Sequence, residues 1–193
     1  AVGMALVGTD GSWLRVNQRV CDIVGYKPHE LMKLTFQDIT HPDDLNIDLG
    51  LLQETIDGKR DTYSMDKRYF HKDGSLVWAK LTVGCVRNEA GEVDYFISVI
   101  EDITSEKRKD DALHQSEERF RATFENAAIG MAQVAPDGTW IHVNRKVCEI
   151  LGYSEAELMQ CNFQSLTYPE DLPLGVSQMQ EMFAGKRSSM QIE

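Results

Sequence analysis

Five histidines (His29, His41, His71, His114, His142) and four cysteines (Cys21, Cys85, Cys148, Cys161) hold the widest chemical repertoire in this 193-residue chain. None of these histidines stands at an informative spacing from a serine or cysteine nucleophile. The cysteines form no Cys-x-x-Cys pair, so neither a zinc site nor a dithiol redox motif is indicated. Three of them sit among apolar residues, as small core side chains do, and such usage fits a reducing compartment. The glycine-rich stretch "GTDGS" (Gly8 to Ser12) lacks the Gly-Lys-Ser/Thr ending of a phosphate-cradling loop and reads as a turn. No residue set for catalysis emerges, and the segment is expected not to be an enzyme by itself.

The formal charge of −11 argues against a nucleic-acid partner, which calls for a basic face. No apolar run approaches the roughly 20 residues that span a bilayer. The opening "AVGMALVG" is too short and too poor in positive charge for a signal peptide. A cytoplasmic segment is expected.

The elements that would position any site come in two copies. "GMALVGTDGSWLRVNQRVCDIVGYKPHELMKLTFQDITHPDDL" (Gly3 to Leu45) aligns without a gap with "GMAQVAPDGTWIHVNRKVCEILGYSEAELMQCNFQSLTYPEDL" (Gly130 to Leu172). Over Gly3 to Asp66 against Gly130 to Glu193, 28 of 64 positions are identical at a constant offset of 127. The period is that of whole domains in tandem. Asp10-Gly11 between alternating apolar runs marks a hairpin. Asn17 and Gly25 have the chemistry of N- and C-caps around "QRVCDIV". A short helix is expected through "PHELMK". Pro42 with Asp43 and Asp44 starts a longer helix, with Leu45, Leu49, Leu52 and Ile56 as its apolar stripe. Three strand-like runs follow, "TYSMDKRYF", "SLVWAKLTVGCVR" and "EVDYFISVIED". Helices clustered between antiparallel hairpins define an α+β domain with a five-stranded antiparallel sheet and short helices on one side.

The ordered set "GMALVGTDGSWLRVNQRVCDIVGY", "THPDDL", "KRYFHKDGSLVWAKL" and "GEVDYFISVIEDIT" resembles the PAS sensor domain with its C-terminal PAC motif, as found in bacterial signalling proteins. "SEERFRATFENAAIGMAQV" (Ser116 to Val134) resembles the entry to a second one. The expected organisation is a first PAS domain with PAC motif over 1–104 and a helical linker over 105–126. The N-terminal part of a second PAS domain, lacking its last three strands, follows over 127–193. The resemblance implies a pocket between sheet and helices, a sensory or dimerisation role, and an output domain such as a diguanylate cyclase or histidine kinase.

Within that family the residues argue against haem and covalent flavin, and the cofactor stays unassigned. Haem-binding relatives carry an axial histidine on the central helix, and "LNIDLGLLQETID" has none. The flavin pattern Asn-Cys-Arg-Phe-x-Gln is scrambled in "CNFQSL" (Cys161 to Leu166), Leu34 replaces the cysteine in the first copy, and Ile100 stands at the last-strand glutamine position. His114, in "ALHQSEERF", lacks the proline that follows a phosphoacceptor histidine. An apolar pocket remains. Strand alternation puts Phe96, Ser98 and Ile100 on one inward face and Val77, Ala79, Leu81 and Val83 on another. With Leu52 and Ile56 these nine residues are the expected lining for a small molecule; a ligand-free interaction scaffold is the alternative.

"DITSEKRKD" passes from strand to helix with no Gly or Pro. The resemblance implies that the Asp-Ile-Thr triplet joins the last strand to the output helix, so Asp102, Ile103 and Thr104 are the expected signal-transfer residues, with Asp102 accepting hydrogen bonds, Ile103 anchoring the joint and Thr104 capping the helix. Leu113, Phe120, Phe124 and Ala127 form a stripe beyond it. A homodimer through that helix or through PAS surfaces is the expected assembly.

Overall fold

The computed structural model describes residues 2–173 together with 176 and 177. The expected remainder of the second domain lies outside the described residues. The chain divides into two compact units, Ala1–Ala112 and Leu113–Glu193.

In the first unit the elements run β1 (Gly3–Gly8), β2 (Trp13–Val16), α1 (Gln18–Val24), α2 (Pro28–Leu31), α3 (Phe36–Ile39), α4 (Pro42–Ile56), β3 (Thr62–Phe70), β4 (Leu76–Arg87) and β5 (Val93–Asp102). The sheet order is β2-β1-β5-β4-β3 and every pairing is antiparallel. The first strand therefore lies beside the last, and the four helices of this unit come between two hairpins in sequence. The β1–β2 turn requires Gly11: its φ is +88°, and the Gln37 side chain occupies the space a Cβ would need. The side chain of Asn17 accepts from Val20 N at the start of α1, and Gly25 ends that helix at φ +77°. Pro42 and the first-turn acids Asp43 and Asp44 begin α4.

One core fills the space between the inner sheet face and the helices. Ala5, Val7, Trp13, Val20, Leu31, Ile39, Leu52, Val77, Ala79, Leu81, Val83, Phe96 and Ile100 all belong to it. Three residues of the expected stripe on α4, Leu45, Leu52 and Ile56, pack on the core. The buried residues of the helix are Asp48, Leu52 and Thr55, while Leu49 is half exposed. A carboxylate thus shares the inward face with the apolar stripe, and the physical reason is its partner on β3, described below.

Helix α5 (Thr104–Glu125) starts directly after β5, and the division between the units falls within it, after Ala112. Of the expected stripe, Phe124 is buried, Leu113 and Phe120 are exposed, and Ala127 lies past the helix end. The second unit then repeats the plan in β6 (Ala132–Val134), β7 (Trp140–Val143), α6 (Arg145–Leu151), α7 (Glu155–Leu158) and a 3₁₀ turn over Phe163–Leu166. Phe124, Val143, Val147 and Leu158 are its buried apolar residues among those described.

Candidate functional site

Three consecutive charged residues on β3, Asp66, Lys67 and Arg68, organise the interior of the first unit. The pleat sends the middle one inward and its neighbours outward. Lys67 is fully buried, and its Nζ donates to Asp48 Oδ2 at 2.5 Å and to Thr40 Oγ1 at 3.1 Å. Asp48 is equally buried and also accepts from the Tyr63 hydroxyl at 2.7 Å. The ammonium stands 4.4 Å from the Tyr69 ring centroid and 4.9 Å from that of Phe36. Burial works against the charge on Lys67, but Tyr69 and Asp48 outweigh it and hold its pKa above the ordinary lysine value. Burial, reinforced by Asp48, pushes the Tyr63 phenol upward, so it keeps its proton.

This cluster forms the polar end of a small cavity lined also by Val7, Trp13, Phe36, Leu52, Leu81, Val83, Phe96 and Ser98. Its volume is about 20 Å³, room for one or two waters and far too little for a haem or a flavin. The indole Nε1 of Trp13 is buried and finds no acceptor. Of the nine residues expected to line a pocket, Leu52, Leu81, Val83, Phe96 and Ser98 are brought together here. Val77, Ala79 and Ile100 are buried elsewhere in the core, and Ile56 packs against its edge. Sequence reasoning missed Asp48, Tyr63, Lys67 and Trp13. A signal existed: in "YSMDKRYF" inward alternation from Tyr63 selects Met65, Lys67 and Tyr69, so a lysine on that face demanded a buried carboxylate.

At the other end of the sheet, β5 passes into α5 through a set of bonds to one residue, Trp78 of β4. Ile103 is buried and its N–H donates to Trp78 O at 3.0 Å. Thr104 Oγ1 accepts from Trp78 N at 3.0 Å and donates to Trp78 O at 3.4 Å. The Thr104 N–H donates to Asp102 Oδ1 at 2.9 Å. The expected division of labour is thereby altered. Asp102 takes the N–H at the helix start, and the Thr104 hydroxyl, reaching back to the sheet, ties the helix to β4.

One turn into α5, Lys107 pairs with Asp66 at 2.9 Å and lies 5.2 Å from the Trp78 ring centroid. Arg68 lies 5.4 Å from the same ring, and its side chain grips Asp44 of α4 through Nε at 2.9 Å and Nη2 at 2.8 Å. The two outward charges of β3 therefore hold α5 and α4, while the inward one holds Asp48. None of the five histidines takes part in the interior cluster. His41 accepts from Asp43 N at the start of α4, and His71 pairs with Asp73. Cys21 is buried and its thiol is pushed up by that burial, as expected of a core residue. Cys161 is free, and its thiol donates to Leu158 O at 3.3 Å. Among the described residues no group of His, Cys, Asp and Glu is arranged to hold a metal, and no helix is long and apolar enough to cross a membrane.

A five-stranded antiparallel sheet with short helices over one face, a small interior cavity and a helix leaving the last strand define a PAS-type sensory domain. The PAS fold family matches residues 14–100 and the PAS domain family matches 118–183, so the chain belongs to the PAS family and carries two such domains. A probable diguanylate cyclase, DgcE of Escherichia coli, is 47% identical over 131 residues, 68% of this chain and 12% of that protein. The sensor histidine kinase TmoS of Ectopseudomonas mendocina is 25% identical over 130 residues, 67% of this chain and 13% of that one. The chain thus spans about an eighth of the length of these relatives. Among solved structures, a sensory box histidine kinase/response regulator from Burkholderia thailandensis superposes with a TM-score of 0.51 at 28% identity. That match covers 63% of this chain and 91% of the other.

Proposed function

We propose that this segment is the sensory and coupling module of a cytoplasmic signalling protein whose output is a diguanylate cyclase or a histidine kinase. A change in the interior of the first PAS domain is relayed by the Asp102-Ile103-Thr104 junction into α5. The observation that carries this reading is the attachment of α5 to Trp78 and Asp66. Three hydrogen bonds and an ion pair fix the first turn of the helix to β4 and β3. A stiff joint converts a small movement of the sheet into a tilt or rotation of the helix, whereas a glycine-rich loop would absorb it. Relatives named as a diguanylate cyclase and a sensor histidine kinase support the choice of outputs.

The outer sheet face, where Met4 pairs with Val99 and Leu6 with Ile97, exposes Met4 and Ile97 and supports homodimerisation through a PAS surface. A second reading, a ligand-free interaction scaffold, is favoured by the smallness of the interior cavity.

The test is Asp102→Ala in the parent protein, followed by output activity with and without stimulus and by thermal unfolding. Retained folding with loss of the stimulus response supports the relay. A variant that signals normally overturns it.

A further inference from the structure

The two ends of α5 belong to different units. Its first turn is tied to β4 and β3 of the first, and its last turn lies in the second. There Phe124 is buried and stacks on Phe120, with ring centroids 5.7 Å apart. The last carbonyls of a helix have no partner within it, so whatever bonds them from outside decides where that end is held. For Phe124 the partner is Asn144, the N-cap of α6. Its Nδ2 donates to Phe124 O at 2.9 Å and to Ile129 O at 3.0 Å. Its Oδ1 accepts from Met131 N at 2.9 Å and from Val147 N at 3.0 Å. Both donors and both acceptor sites of the amide are therefore in use, and the side chain is completely buried. One rigid amide joins the last turn of α5, the entry to β6 and the first turn of α6. An N-cap needs only the oxygen, as Val147 uses it here. The reach of Nδ2 to Phe124 O is beyond what capping requires.

We infer that Asn144 is the positioning residue through which the second PAS domain takes up movement of α5, so that the two domains act in series and not as independent sensors. The inference rests on the relay into α5 proposed above and extends it by one step. A tilt of the helix displaces the Phe124 carbonyl. Asn144 follows it only by pulling on Met131 N and Val147 N, because the buried amide has no spare donor or acceptor to exchange. The movement is thereby handed to the first strand and the first helix of the second domain.

The test applies a defined disturbance at the far end of α5 in the whole 193-residue chain: Lys107→Ala, which removes the ion pair with Asp66. Amide resonances in ¹H–¹⁵N NMR spectra are compared with and without it. The expected result is a shift in the first turn of α5 and also at Met131 and Val147. Asn144→Ser keeps a capping oxygen for Val147 and is too short to hold Phe124 O. In that background the shifts that Lys107→Ala causes at Met131 and Val147 should be lost. Those in the first turn of α5 should persist, and the Val147 amide should stay protected from hydrogen exchange. Asn17→Ser, the same change at the equivalent cap of the first unit, should leave the transfer intact. If Asn144→Ser does not fold, Ala112→Gly with Leu113→Gly decides: it softens the exposed middle of α5, touches no buried residue, and should also abolish the transfer. Shifts at Met131 and Val147 that survive Asn144→Ser, or the glycine pair, overturn the inference. A shift confined to α5 in the chain with native Asn144 overturns the series arrangement and leaves the relay into α5 standing. No shift within α5 overturns that relay as well.

Discussion

Asn17 and Asn144 occupy equivalent places 127 residues apart and do the same work in different surroundings. Each side chain caps a helix and braces the strand before it: Asn17 Oδ1 accepts from Val20 N and Met4 N, Asn144 Oδ1 from Val147 N and Met131 N. Asn17 is exposed and donates to Val2 O alone, at 3.2 Å. Asn144 is completely buried and donates to both Phe124 O and Ile129 O, at 2.9 and 3.0 Å. The same holds for other scaffold positions. Gly11 and Gly138 both take positive φ, with Gln37 and Gln164 packed over them, and both hairpins carry an irregularity at the same point of the register. Of the interior cluster, Trp13, Phe36 and Thr40 recur as Trp140, Phe163 and Thr167, whereas the polar residues on α4 and at the start of β3 change. Asp48 and Tyr63 of the first unit correspond to Gly175 and Met190 in sequence.

The comparison breaks most visibly at the buried ion pair. Lys67→Met leaves the Asp48 carboxylate unpaired and should cost about 3–5 kcal/mol, whereas the double variant Asp48→Leu with Lys67→Met should recover most of that. Hydrogen exchange of the β3 and β4 amides measures it, and amides of the second unit should be unaffected. A double variant as unstable as the single one would show that the pair is not what holds α4 to β3. A smaller effect separates the two asparagines. Asn→Ala at an N-cap costs about 1 kcal/mol, and the buried Phe124 carbonyl and partly buried Ile129 carbonyl left without a donor should make Asn144→Ala the costlier. Exchange rates of the Val20 and Val147 amides read that difference directly.

The smallest effect lies at the surface. Lys72, by its hydrogen bond to the carboxylate, and then the Lys27 N–H hold the Glu30 pKa down to about 2. With an unfolded value of roughly 4.3, its stabilising contribution is complete above that pH and is lost as pH falls towards 2. Glu30→Gln should flatten the acid limb of the first unit's stability curve between those values. The equivalent Glu157, lowered chiefly by Ser154, has no lysine across from it in the described hydrogen bonds and should titrate closer to the ordinary range. NMR titration of the two carboxyl carbons checks the order.

Much of the fold was legible because its signals are local. Asp10-Gly11, Asn17, Gly25 and Pro42 mark turns and caps through their own backbone preferences, and strand alternation marked the inward faces of β4 and β5. What stayed hidden depends on distant partners. Asp48 looks like a solvated residue of an acidic helix until Lys67, 19 positions later, is placed opposite it. The leucine pattern therefore found Leu45, Leu52 and Ile56 on the packed face of α4 but not Asp48 and Thr55 among them. Thr104 read as a cap because its sequence neighbours suit a helix start, yet its hydroxyl bonds a strand residue 26 positions earlier.

The Asp66-Lys67-Arg68 triplet also fixes the alignment of β3 during assembly. Slipping the strand by one residue against β4 would turn either Asp66 towards the Asp48 carboxylate or Arg68 into a space shaped for a lysine, and would strand Lys67 in solvent. Each error puts an unmatched charge in the core. An edge strand bordered by only one neighbour is the one most exposed to mispairing, and here its own charges act as a proofreading key.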